Sequence, residues 1–171
     1  MIPKFSITQE IKAVRFFVTD EYIGTGTWLV RRDFANANKK LFKAALNMRS
    51  GTYYDGEFES EKTPDSIKTI FEKSKLKEGE EPALVPSRQV LISGHGSGLF
   101  FDCCLIISGQ LMCIDPKFLP LVHSVTRVFA SEPLQAIRLT DQDGEILGLV
   151  MPRRLSTVSD KEAIKTMLEA L

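Results

Sequence analysis

The chain has 171 residues, 43% hydrophobic and 26% charged, the balance of a single globular domain with a real core. Lys+Arg and Asp+Glu are equal at 22 each, so net charge by itself gives no sign of a nucleic-acid partner. No apolar run reaches the roughly 18–20 residues needed to span a bilayer, and three cysteines without framework spacing fit a reducing compartment, so the expected setting is cytoplasmic with no membrane partner.

The neutral total hides an uneven distribution. Residues 1–50 carry nine Lys/Arg against four Asp/Glu, a net of +5. Residues 51–83 carry five against nine, a net of −4. A basic first third is followed by an acidic segment.

Lys12 to Thr19 is rich in β-branched and aromatic residues and predicts a strand. Gly24-Thr25-Gly26 predicts a turn, and Thr27 to Arg31 a second strand. Asp33 fits the N-cap of a helix running to about Met48, with Phe34, Ala37, Leu41, Ala44/Ala45 and Met48 as its buried stripe. On that helix Asn36, Lys39, Lys40, Lys43 and Asn47 share one polar face, with three lysines and no carboxylate.

The segment 52–83 reads as an acidic insertion or loop region. It contains a turn at Tyr53-Tyr54-Asp55-Gly56 and a short helix after Thr63-Pro64 that would bury Ile67, Ile70 and Phe71. Arg88–Ser93 and Leu99–Ser108 predict strands. The second is apolar enough to be buried on both faces. Between them, Gly94-His95-Gly96-Ser97-Gly98 resembles a phosphate cradle only superficially, because a strand and not a helix N-terminus follows it. It reads as a hairpin loop.

Gly109-Gln110 predicts a turn into Leu111–Ile114. Asp115-Pro116 then starts a short helix to about Val125, burying Phe118, Leu121, Val122 and Val125. Lys117, Ser124 and Arg127 occupy its polar side, again without an acid. Val128–Ala130, Leu134–Thr140 and Glu145–Met151 predict strands, with Asp143-Gly144 as a hairpin signal. Ser159 and Glu162 form a capping-box pattern for a C-terminal amphipathic helix, 158–171, lined by Ile164, Met167, Leu168 and Leu171.

Catalytic and metal chemistry finds little footing. Cys103, Cys104 and Cys113 lie among apolar residues, which favours inert burial over a thiolate nucleophile paired with His95 or His123. CxxC and HxxxH zinc spacings are absent. Asp141, Asp143 and Glu145 lack the twelve-residue frame of a calcium loop. No cofactor is expected.

Two stretches together carry a family resemblance. Ile114-Asp115-Pro116-Lys117-Phe118-Leu119-Pro120-Leu121-Val122 precedes strands that end in Gly148-Leu149-Val150-Met151-Pro152-Arg153-Arg154-Leu155. This resembles the last domain of bacterial DNA polymerase III sliding clamps (the beta subunit), which closes on a Met-Pro-x-Arg-Leu element. The order strand, helix, strands also occurs twice, around 27–58 and 111–151. The resemblance implies a clamp-like α+β single domain, 1–171. It would hold two strand–helix–strands units, with helices on one side of mainly antiparallel sheets, plus the C-terminal helix.

It further implies a non-enzymatic, DNA-associated protein. Lys39, Lys40, Lys43 and Lys117 would lie on helices facing the phosphate backbone. Val150, Met151, Pro152 and Arg153 would lie near a groove for replication or regulatory proteins. One domain per chain would need a homo-oligomer to encircle DNA. The alternatives are a protein-interaction or regulatory module without DNA binding, and a small enzyme using a cysteine and His95.

Overall fold

A computed structural model describes residues 4–13, 15–62, 64–93, 101–155 and 158–171. In chain order it contains α1 (Ile7–Ala13), β1 (Phe16–Val18), β2 (Tyr22–Gly24), β3 (Trp28–Arg31), α2 (Arg32–Ala37), α3 (Lys39–Leu46), β4 (Gly51–Tyr54) and β5 (Glu57–Ser60). Then follow α4 (Asp65–Lys73), β6 (Ala83–Leu84), β7 (Val90–Ser93), β8 (Phe101–Ile107) and β9 (Gln110–Ile114). A 3-10 turn (Pro116–Phe118) leads into α5 (Leu119–Val122), and β10 (Arg127–Phe129), β11 (Ile137–Thr140), β12 (Ile146–Val150) and α6 (Val158–Ala170) complete the chain. The class is α+β.

Nine strands form one antiparallel sheet in the order β5-β4-β1-β2-β3-β12-β11-β10-β6, and β7-β8-β9 form a second. The period-2 alternation of strands sorts the side chains of the large sheet onto two faces. Phe16, Val18, Trp28, Val30 and Val150 point into the main core, while Phe17, Leu29 and Leu149 point the other way. The main core also receives Phe34 and Phe42 from α2 and α3, Phe118 and Leu121 from the 3-10 turn and α5, and Leu105, Ile107 and Met112 from the small sheet. On the opposite face α4 sets Ile67 and Phe71 against Phe17 and Leu149. The outer face of the small sheet is covered by α6 through Ile164 and Leu168. The layers therefore run α4, large sheet, helices with small sheet, then α6.

Two tight turns are fixed by backbone chemistry. Asp55 and Gly56 both have positive φ (49° and 81°), the geometry that joins β4 to β5 with a two-residue loop. Ser108 and Gly109 (51° and 76°) do the same between β8 and β9. The loop after β11 is longer, and within it Asp141 Oδ1 accepts hydrogen bonds from the backbone N–H of Asp143 and of Glu145, at 2.9 Å each.

Several expectations shift. The predicted helix from Asp33 to Met48 is two helices broken at Asn38, whose φ and ψ of −116° and 46° leave the helical region, and Asp33 sits in the first turn of α2 and not at its cap. The buried stripe keeps one helical phase across the break but differs from the expected one. Phe34, Ala35, Phe42 and Ala45 are buried, whereas Ala37 and Ala44 are exposed. Lys12, expected to start a strand, lies in the last turn of α1 instead.

The acidic segment 52–83 is less loop-like than its composition suggests. It contributes most of β4, then β5, α4 and β6 to the fold. Ile67 and Phe71 are buried there as expected, but Ile70 is exposed. In α6, Ile164 and Leu168 are buried while Met167 and Leu171 are exposed. The Gly94–Gly98 loop and the Thr63 cap lie outside the described residues, as does the side chain of Ser159.

Candidate nucleic-acid interface

α3 turns Phe42 and Ala45 inward, and helical spacing then places Lys39, Lys40 and Lys43 outward, all three exposed. No ion pair holds them among the described residues, and the first turn of α3 has no acid. Asn36 and Asn47 are exposed with them. α1 packs alongside α3 and carries exposed Lys12, with exposed Lys4 preceding it.

The second helical unit lies on the same face of the large sheet. The Phe5 ring, just before α1, packs on Phe42 at 5.9 Å and on Phe118 at 6.5 Å. Lys117, however, is engaged. Its Nζ lies 2.6 Å from Oε1 of Glu10, whose other oxygen accepts a hydrogen bond from Trp28 Nε1 at 2.9 Å. Glu10 is only 2% exposed. A carboxylate this deep needs a charged partner, because an isolated buried charge is costly. Lys117 supplies it, and so serves the fold before any phosphate.

The ending Val150–Arg153 is divided in a similar way. Val150 is fully buried in the main core. Arg153 is held between two carboxylates, Nη1 on Asp102 at 3.0 Å and Nη2 on Asp115 at 2.6 Å. Its backbone N–H donates to the carbonyl of Cys113. Pro152 is half-buried, and Met151 is the exposed member. Beyond them Leu155 joins α6 over the small sheet.

The opposite face of the large sheet carries a feature that the sequence reading missed. An open groove of about 790 Å³ lies between α4, the residues following it, the β2–β3 end and the 141–145 loop. Its charged lining is mainly acidic, including Asp20, Glu80, Glu81 and Asp143. The Arg31 guanidinium bonds Asp33 and holds its carboxyl below the usual range. Lys75 pairs with Glu72 at 2.7 Å. No cluster of three metal-ligating side chains occurs among the described residues. The acidic composition of 51–83 was a partial signal. The groove also draws on residues 20–33 and 143–146, and only the fold brings these together.

The three cysteines are buried. Cys103 faces the main core, where burial pushes its thiol up to about 11. Cys104 and Cys113 face α6. His123 is exposed at the end of α5, and His95 lies outside the described residues. Comparison with known protein families, with curated proteins and with solved structures returns no match.

Proposed function

We propose that this chain is a non-enzymatic, DNA-associated domain, related in plan to one domain of a sliding clamp, and that it contacts the phosphate backbone through α3. The supporting observation is the exposed face of Lys39, Lys40 and Lys43, which has no acid on its helix and no ion pair among the described residues. Its neighbour Lys12 adds to the positive field. The placement of both helical units on one face of one sheet is consistent with the clamp plan. Lys117 would have to leave Glu10 to join, so the contact rests on the three α3 lysines. Partners from replication or its regulation would use exposed surface around Met151, and a cytoplasmic setting belongs to the same proposal.

Three phosphate contacts give a definite expectation. The log of the affinity for duplex DNA should fall with log salt at a slope of about −2.7, roughly a 40-fold loss between about 50 and 200 mM salt. Fluorescence anisotropy with a labelled duplex measures it. Lys39, Lys40 and Lys43→Ala together should remove most of that slope. Binding that keeps its slope in the triple variant removes α3 from the mechanism. No binding at low salt removes DNA.

The acidic groove favours a second reading, a protein-interaction module whose partner is a basic segment. Glu80→Lys with Glu81→Lys should then abolish binding of a Lys/Arg-rich peptide, while the α3 variant leaves it intact. Unchanged peptide affinity in the groove variant ends that reading. The described residues add no support for an enzyme built on a cysteine and His95.

A further inference from the structure

We infer that Cys104 and Cys113 form a modification site, a thiol pair that oxidises to a cross-strand disulfide, with α6 as its cover. Cys104 on β8 stands directly opposite Cys113 on β9. Opposed residues on antiparallel strands have Cα atoms about 4.5–5.5 Å apart, within the span that a disulfide bridges. The two Sγ atoms are 2.7 Å apart. Strand alternation sends the adjacent Cys103 to the other face, into the main core and out of reach of this pair.

The pair is roofed by Ile164 and Leu168. Among the described side chains of α6 only these two are buried, while Met167 and Leu171 face outward. A helix held by so few side chains is a candidate for local opening without global unfolding. The shared proton of the pair also favours a first thiolate, because the Cys113 S–H bonded to Cys104 sulfur stabilises its ionised form and Cys113 itself is held protonated.

The oxidant is a low-molecular-weight disulfide. The Cys104 thiolate attacks one of its sulfurs and expels one small thiolate, which takes up the proton that Cys104 released. Cys113, deprotonated in turn, attacks Cys104 Sγ in the mixed disulfide and expels the second small thiol. Two protein thiols lose two electrons and two protons, and one small disulfide becomes two small thiols.

The test treats the folded full chain with oxidised glutathione and maps the products by mass spectrometry. The expected product has lost two hydrogens, carries a single Cys104–Cys113 link and reverts with a thiol reductant. Cys103→Ala should react like the parent chain. Cys104→Ala and Cys113→Ala should each give no internal link. Leu168→Ala should speed the reaction roughly tenfold or more by weakening the roof. A link through Cys103, glutathione adducts alone in the parent chain, or no reaction before denaturation overturns the site. An unchanged rate in Leu168→Ala overturns the role of α6. The wild-type product map needs no variant, so it decides the site even if a substitution impairs folding.

Discussion

The two faces of the nine-stranded sheet are covered with unequal depth and opposite charge. On the helix side an aromatic cluster built on Phe5, Phe16, Trp28, Phe34 and Phe42 packs ring against ring, with centroids 5.3–6.3 Å apart. Its exposed rim carries lysines, and the one carboxylate of α1, Glu10, is buried. On the α4 side six buried side chains make a thin layer beneath an acid-lined groove. Packed layers lie about 10 Å apart, so the outer rims are separated by more than the roughly 8 Å over which physiological salt screens exposed charge. The fields of the two rims do not cancel. A chain of zero net charge thus carries a positive surface on one face and a negative surface on the other.

The comparison can be broken most directly in the packing. Phe42 is fully buried and touches three aromatic rings. Phe42→Ala should cost roughly 3–5 kcal/mol in urea unfolding. Phe71→Ala, at the groove edge, should cost clearly less. Equal losses would show that the two covers matter alike. The buried ion pair comes next. Glu10→Ala leaves the buried Trp28 N–H without its acceptor and frees the partly exposed Lys117, at a cost of about 1–3 kcal/mol. Glu10→Gln, which keeps an acceptor for Trp28, should recover part of it. A negligible effect of Glu10→Ala would mean that this side does not depend on its buried charge.

Alkaline pH probes the same core. The folded-state pKa of Cys103, about 11, lies above its ordinary 9.0. Its contribution is therefore complete below pH 9 and is lost as pH rises through about 11. Stability measured across that window should fall less steeply in Cys103→Ala than in the parent chain. The smallest effect belongs to the α4 side, where Lys68 and Glu21 pair at 3.0 Å with both side chains more than half exposed. Glu21→Ala should leave the urea midpoint almost unchanged. A larger loss would make the thin side more dependent on charge than its exposure implies.

The elements with strong periodicity were readable before the fold was seen. The apolar run of β8, buried on both faces, and the burial of Ile67 and Phe71 in α4 are examples. α1 escaped because its helix signal is short and competes with the β-branched residues after it, although Ser6 and Gln9 have capping-box spacing. The break at Asn38 escaped because the apolar spacing runs through it in phase, with Phe34 and Ala45 about three turns apart. Lys117 looked like an exposed cation because its partner is 107 residues away in sequence. Arg153 belongs to the ending that resembles the clamp family, yet in the fold Asp102 and Asp115 occupy it. Long-range ion pairs leave no periodic trace in a sequence.

The anchoring of Met151–Arg153 has a further consequence for α6. Met151 is tied to Thr27 and Arg153 to Cys113, Asp102 and Asp115, so the chain stays pinned a few residues before the helix begins. When α6 lifts, it remains leashed beside its own docking face. A short leash corresponds to an effective concentration on the order of millimolar. Any foreign segment that seeks the same face must outcompete that standing concentration. A small reagent need only arrive during a brief opening, so the leash filters by size and dwell time what can reach the sheet beneath.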